Sequence, residues 1–248
     1  ALLGASASLL ETESTVAWLN ACGSPLLELP EQKTQAAFVA SFQYMNLCSA
    51  FLEDSVFPTL GPSGGNHGYN EWDCADIIHA YDLAGKHDYV ERMLEFYWLN
   101  DLSTESAAMA LWMHGRHYTL TENREWLQRM FPDIKRRMAF LVHTWMHHKD
   151  ENNGLLPSTA KPENEQIDGH TVSLHLYALA GIRYAVHMAR VLGSENLSIK
   201  WDAFHSAFHD AVFVRLDTLL KETDGVITPS FDGFEAKSTL QRIPGTRR

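Results

Sequence analysis

The residues best suited to chemistry are concentrated in one run, Gly61-Pro-Ser-Gly-Gly-Asn-His-Gly-Tyr-Asn-Glu-Trp-Asp-Cys-Ala-Asp76. A glycine-rich polar loop here passes into an apolar helix over Ile77 to Ala84, with carboxylates at Glu71, Asp73 and Asp76 and aromatic rings at Tyr69 and Trp72. A helix N-terminus has free N–H groups and the positive end of the helix dipole, so acids at such a junction are held in place. Flat rings beside fixed carboxylates suit a sugar-binding cleft, the rings covering apolar sugar faces and the carboxylates accepting from hydroxyls. The purely structural alternative is an N-cap box beside core aromatics, but the junction carries more polar groups than a cap requires.

The elements that must position this junction are helical almost throughout, which makes the fold class all-α. Two kinds of helix alternate. Cys74 to Ala84, Ala107 to Met113 and Val172 to Val191 are apolar nearly all round. Between them run striped helices: Tyr89, Val90, Met93, Leu94, Tyr97; then Trp126, Met130, Ile134, Met138, Leu141, Trp145; then Leu197, Trp201, Phe204, Phe208, Val212, Leu219. Each stripe repeats every three or four residues, as one helix face does. A helix apolar on all sides must be covered on all sides, so strict alternation predicts an inner ring of helices wrapped by an outer ring. Thr34 to Glu53 reads as a further helix, and Val226-Ile-Thr-Pro229 as at most a short extended piece.

Connections from inner to outer helices are short, Gly85 to His87 and Gly193 to Asn196. Connections into inner helices are long: Asp54 to Trp72, Lys149 to Gly169, and Lys221 to Glu235. Structureless loops beyond about 12 residues in a compact domain are usually functional. In this arrangement all of them gather at one end, at the inner-helix N-termini.

Composition restricts the partners. The net charge of −11 argues against nucleic acid or an anionic membrane and fits a neutral small molecule or oligosaccharide. Cys22, Cys48 and Cys74 are too few and too scattered for a disulfide framework or a cysteine-based zinc site. No apolar run approaches the roughly 20 residues of a membrane span, and Ala1 to Leu10 lacks the basic start of a signal peptide.

Two segments resemble the six-hairpin glycosidases, the (α/α)6 toroid group that includes glucoamylase-type and rhamnosidase-like glycoside hydrolases. Trp72-Asp-Cys-Ala-Asp-Ile-Ile-His-Ala-Tyr-Asp-Leu-Ala-Gly85 is similar to the family's Trp-x-Arg-Asp motif and the inner helix after it, with Trp72 where the family has Arg. Glu163-Asn-Glu-Gln-Ile-Asp-Gly-His170, leading to a helix that ends at Leu192-Gly193, resembles the general-acid region. There the family's adjacent Glu pair is split by Asn164. The Asn153-Gly-Leu-Leu-Pro157 turn is similar to the one that opens that loop. The resemblance spans Thr34 to Gly193 and implies a toroid of helical hairpins, a carbohydrate substrate, and a sugar-gripping role for Asp73. With Asp73, the expected substrate-binding set is Trp72, Tyr69, Glu71 and His170.

Inverting glycosidases use two carboxyl groups about 6.5–9.5 Å apart, one donating a proton to the leaving oxygen and one activating water. The Lys149 to Gly169 loop offers Glu163, Glu165 and Asp168. Asp168 fits an N-cap before Gly169-His-Thr-Val, which leaves Glu165 as the expected acid and Glu163 next. The base in the resembling enzymes comes from a later inner helix, so none is assigned here. Asp232 or Glu235 could intrude on the cleft, but the favoured reading is a solvated turn. Such chemistry requires no cofactor, and none is expected; nor is a metal. The i, i+4 pairs His143/His147 and His205/His209 lie on outer helices with no third ligand in view. His79, His114, His170 and His175, on or beside inner helices, sustain an alternative: a sugar epimerase-like toroid using histidine as acid and base. A third reading is a non-catalytic helical scaffold that binds sugar or peptide.

Residues 1–248 read as a single toroid-like domain or a fragment of one, with 1–30 as a peripheral N-terminal segment. A closed ring needs about six inner–outer pairs at on the order of 40–50 residues each, so this length corresponds to about half a ring. The expectation is an open edge around Ile77, Tyr81 and Val226 to Leu240. Such an edge would favour self-association or pairing with a missing C-terminal half.

Overall fold

The computed structural model describes residues 11–16, 28–47, 49–52, 55–58, 71–97, 102–158 and 169–232. The chain divides into two compact units, Ala1–Phe96 and Tyr97–Arg248. Apart from one small hairpin, every regular element among the described residues is helical. No helix among them is long and apolar enough to cross a membrane.

In the first unit, residues 11–16 are helical (α1). Helix α2 spans Gln32–Leu47, its start fixed by Glu31, which accepts from the N–H groups of Lys33 at 3.1 Å and Thr34 at 2.6 Å. The chain then forms an antiparallel hairpin, β1 (Ser49–Leu52) with β2 (Ser55–Pro58), Leu52 paired to Ser55. This corrects two expectations: the helix does not continue to Glu53, and the long loop does not begin at Asp54. The physical reason is the absence of charge between Ala36 and Leu52. Without a polar face the helical period has no phase, and Phe51, Val56 and Phe57 suit a strand better.

Helix α3 covers Glu71–Leu83 and α4 covers His87–Tyr97. Between them Gly85, at φ +74°, closes α3 with N–H bonds from Gly85 to Asp82 and from Lys86 to Tyr81, the pairing of a glycine C-cap. Helix α3 starts earlier than Ile77, so Glu71, Trp72 and Asp73 belong to its first turn rather than to a loop. It is also not apolar all round. Cys74, Ala75, Ile78, Tyr81 and Asp82 are buried, whereas Leu83 is 65% exposed. Tyr81 was expected on an open edge; it is buried, with its ring 6.4 Å from Phe42 and 5.7 Å from Tyr89.

The second unit holds two helical hairpins, α5 (Thr104–Thr121) with α6 (Arg124–His148), and α7 (Val172–Val191) with α8 (Glu195–Glu222). Ser103 opens α5 through a reciprocal capping box with Ser106, and Asn123 caps α6 by accepting from Trp126 N–H at 3.1 Å. Helix α5 extends beyond the expected Ala107 to Met113 on both sides, and Tyr118 on the C-terminal extension is buried. The apolar stripe expected on α6 is buried from Trp126 to Trp145, and on α8 the buried face runs from Trp201 to Leu219.

Helices α5 and α7 pack directly, and their contacts fix the direction. Trp112 meets Tyr177 edge-on at 5.1 Å, Gly181 backs onto Ala108, Leu111 and Trp112, Gly115 backs onto Tyr184, and Tyr118 lies 6.0 Å from His187. The close approaches rise together along both helices, Gly181 with Ala108 to Trp112, Tyr184 with Gly115 and His187 with Tyr118, so α5 and α7 are parallel with their N-termini at one end. The outer helices behave likewise: Phe131 on α6 faces Trp201 on α8 at 6.1 Å, and Trp145 faces Phe204 at 5.3 Å. Arg137 is fully buried between hairpin partners, with Nε donating to Asp133 at 2.7 Å and Nη1 to the Ser106 carbonyl at 3.2 Å. Helix α7 also departs from an all-round apolar surface, because Leu176, Arg183, His187 and Arg190 form an exposed stripe.

Candidate functional site

The N-terminus of α7 lacks an ordinary cap. Asp168 was expected there and lies outside the described residues; the cap position is Thr171, whose side chain makes no capping bond. Four N–H groups at a helix start need partners, and the chain brings one from 60 residues away. Ser230 pairs with Thr171 in an antiparallel bridge, flanked by Val172 N–H to the Pro229 carbonyl and Phe231 N–H to the His170 carbonyl, both 2.9 Å. The expected extended piece near Pro229 is therefore a clasp over α7.

The clasp delivers Asp232 to His170. The His170 backbone N–H donates to Asp232 Oδ2 at 2.8 Å, and His170 Nδ1 donates to the same carboxylate at 2.9 and 3.0 Å. Asp232 lies in an exposed turn, as the sequence implies, but its carboxylate is engaged by His170. Burial pushes its carboxyl up, but the His170 bonds and charge, with Arg215, outweigh that and hold it below the usual carboxylate range. Gly169 sits at φ +125°, and a Cβ there would lie 2.5 Å from Asp232 Oδ2, so only glycine lets the carboxylate come this close. Arg215 from α8 donates to the Phe231 carbonyl and reaches Glu222 at 3.3 Å, tying the clasp to the outer helix. With Nδ1 engaged, Nε2 is the ring's uncommitted nitrogen. It is buried and has no hydrogen-bond partner among the described residues.

One turn along α7, His175 is fully buried. Its Nδ1 donates to the Thr171 carbonyl at 2.6 Å, and its Nε2 accepts the Leu156 N–H at 3.1 Å. Burial pushes His175 down to about 4, so the ring is neutral at physiological pH and this pairing fixes its tautomer. Its ring packs against Phe231 at 5.3 Å and Phe208 at 5.9 Å. The turn that carries Leu156 is tightly wound: Asn153 and Gly154 are left-handed at φ +53° and +81°, and Trp145 Nε1 donates to the Gly154 carbonyl at 2.8 Å.

These segments enclose a cleft of about 730 Å³. Its walls are the 151–155 turn, the α8 face from Asp210 to Thr218, and the His170–Asp232 pair. Amide, hydroxyl and carboxylate groups from Asn152, Asn153, Thr218 and Asp210 share it with apolar Leu155 and Val214. A mixed lining of this kind suits a ligand that is itself part polyol and part hydrocarbon face.

Of the residues singled out from sequence, His170 is in this cleft. Glu163, Glu165 and Tyr69 lie outside the described residues. Glu71, Trp72 and Asp73 are placed as backbone in the first turn of α3, in the other unit, and their side chains are outside the described set. His143 and His147 stack at 6.2 Å and His205 and His209 at 6.1 Å, and among the described residues neither pair joins a third metal-ligating group. The sequence reading missed Asp232, Arg215 and the role of His175. Only His175 had a local signal, a histidine on the buried stripe that runs from Val172 to Leu179. No family model matches this chain, and no curated protein matches it.

Proposed function

We propose that this chain is a glycoside hydrolase-like protein whose cleft at the α7 N-terminus holds a glycoside or oligosaccharide. The observation that carries this reading is the parallel packing of α5 and α7 inside α6 and α8. Repeated inner–outer hairpins with parallel inner helices are the building plan of a helical toroid, in which the inner N-termini share one mouth. The cleft beside His170 and Asp232 opens at that end of α7, directly after the segment that contains Glu163 and Glu165. Continued round, this plan makes a six-hairpin toroid.

In the proposed reaction a carboxylic acid, Glu165 first and Glu163 second, gives its proton to the glycosidic oxygen as the C1–O bond breaks. A second carboxylate takes a proton from water as the water oxygen bonds to C1 from the opposite face, which inverts the anomeric centre. No residue is assigned to that base. His170, oriented by Asp232, contacts a sugar hydroxyl. Epimerisation by histidine needs two opposed imidazoles. The nearest second one, His175, is buried with both ring nitrogens engaged, and this favours hydrolysis.

The test is a panel of aryl and natural glycosides with product anomers followed by NMR. Glu165→Gln should lose about 10²–10⁴-fold in rate on substrates with poor leaving groups and far less on glycosyl fluorides, which need little protonation. Exchange of solvent deuterium into sugar carbon without hydrolysis would replace this reading with epimerisation. An equal loss on both substrate types would move the acid to Glu163 or elsewhere.

A further inference from the structure

One wall of the cleft, the 149–158 segment, is a run of turns that follows α6, with Trp145 Nε1 donating to the Gly154 carbonyl at 2.8 Å. The 149–158 segment is joined to α7 by a bond from a backbone N–H, that of Leu156, to a histidine nitrogen, His175 Nε2. This bond exists only while Nε2 carries a lone pair. A proton on Nε2 would set N–H against N–H at 3.1 Å, and both donors would be buried without a partner. The other nitrogen offers no escape, since Nδ1 already donates to Thr171.

We propose that His175 is the positioning residue that holds the 149–158 wall of the cleft on α7, and that it holds it only in its neutral form. The inference deepens the reading of the cleft as a glycoside site and rests on it. Acid would release the wall bearing Glu151, Asn152 and Asn153 while leaving the helical hairpins in place. The groups facing His175 are those of every segment packed on its ring. Its own helix contributes His170, which opposes a second positive charge, and the Thr171 carbonyl. The clasp contributes Asp232, which favours that charge, and Phe231. Helix α8 presents Phe208, and the wall presents its own N–H. Burial opposes the charged form most strongly and pushes His175 down to about 4, so protonation and release occur together.

NMR-detected hydrogen exchange on the full chain tests this, with protection factors corrected for the intrinsic pH dependence of exchange. The Leu156 opening constant should rise about tenfold per pH unit below about pH 6.5, the slope of one coupled proton. At each such pH the Leu111 amide in α5 should stay more protected than Leu156. His175→Gln supplies a side-chain oxygen that accepts from Leu156 N–H and does not titrate, so protection should return and the slope should vanish. Equal slopes in both proteins, or Leu156 and Leu111 opening together at every pH, would overturn the proposal. If the variant does not fold, the imidazole ¹⁵N shifts of His175 in the unmodified chain decide. A ring that stays neutral down to about pH 4 while the Leu156 opening constant climbs supports the latch, and a ring that protonates near its ordinary 6.5 with Leu156 still protected refutes it. None of these readouts involves a sugar, so the glycoside panel can fail with the latch intact, and the reverse.

Discussion

Gly181→Ala separates two effects of opposite sign, and the parallel packing of α5 and α7 decides which wins. In a helix interior alanine is favoured over glycine by about 0.8–1.0 kcal/mol, and it lowers unfolded-state entropy as well. On an isolated helix the substitution would stabilise. In this fold the new Cβ would sit 2.9 Å from the Ala108 carbonyl oxygen, 2.9 Å from Leu111 Cβ and 3.0 Å from the Trp112 amide nitrogen. Ordinary carbon contacts lie at about 3.5–4.0 Å, so the Leu111 contact is short by at least about 0.6 Å. Two of the three neighbours are backbone atoms of α5, which cannot rotate aside. The helices must therefore separate, and separation weakens the Trp112–Tyr177 contact in the same seam. Overpacking of this type costs about 1–3 kcal/mol or more. With two rigid backbone neighbours the cost belongs at the upper end of that range, about 2–3 kcal/mol, and against the propensity gain the net expectation is a loss of about 1–2 kcal/mol.

The assay is urea unfolding of both proteins at pH 7.5, followed by far-UV circular dichroism. The midpoint should fall with the slope unchanged, as expected when the native state alone is strained. A neutral or stabilised Gly181→Ala protein would mean that α5 and α7 do not approach at this residue. The parallel register, and with it the shared mouth of the inner helices, would then be wrong.

Two further outcomes follow from the buried polar groups. Burial pushes His114 down to about 3 and His175 down to about 4 from 6.5, so between those values the unfolded chain binds protons that the folded one refuses. Stability is then fully present above pH 6.5 and is lost as pH falls, by about 2 kcal/mol per histidine at pH 5. Denaturant midpoints across pH 4.5–8 check this, and His114→Gln should remove roughly half of the slope. Arg137 is fully buried between Asp133 and the Ser106 carbonyl. Arg137→Ala should cost about 1–3 kcal/mol by leaving the buried Ser106 carbonyl without this donor, while Arg136 still holds Asp133 Oδ1 at 2.7 Å, read as a drop in thermal midpoint.

What the sequence made legible is local and periodic. The stripes of α6 and α8 were readable because each has a polar face that sets its phase, and Trp126, Ile134, Met138, Trp201 and Phe208 are buried as that phase requires. His170 was singled out only through the resemblance of Glu163 to His170 to a general-acid region, and the fold puts it on the cleft wall. The β1–β2 hairpin was not, because a charge-free run gives a period without a phase. Arg137 looks on paper like a solvated residue on a striped helix; only the Ser106 carbonyl across the hairpin gives it a place in the core. Asp232 lies 62 residues from its partner, and neither local propensity nor spacing encodes a contact of that range.

His170, just before α7, and His175, in its first turn, solve one problem that the parallel arrangement creates. When successive inner helices run in the same direction, every segment entering the next one must arrive at the same end, and no sheet is present there to fasten it. At α7 two segments distant in sequence, 149–158 and 229–232, meet over one helix start. A strand-like bridge holds the second, aided by the charge-assisted His170–Asp232 bonds. The first is held by a neutral imidazole accepting from a backbone N–H. The fastenings differ in their response to acid. The His170 bonds to Asp232 use its N–H groups as donors and need no free lone pair on the ring, whereas a protonated His175 can no longer accept. A fall in pH therefore releases one wall of the cleft while the other keeps its donors. A glycoside site built on this plan would lose its polar turn, Asn152 and Asn153, before it lost its dyad.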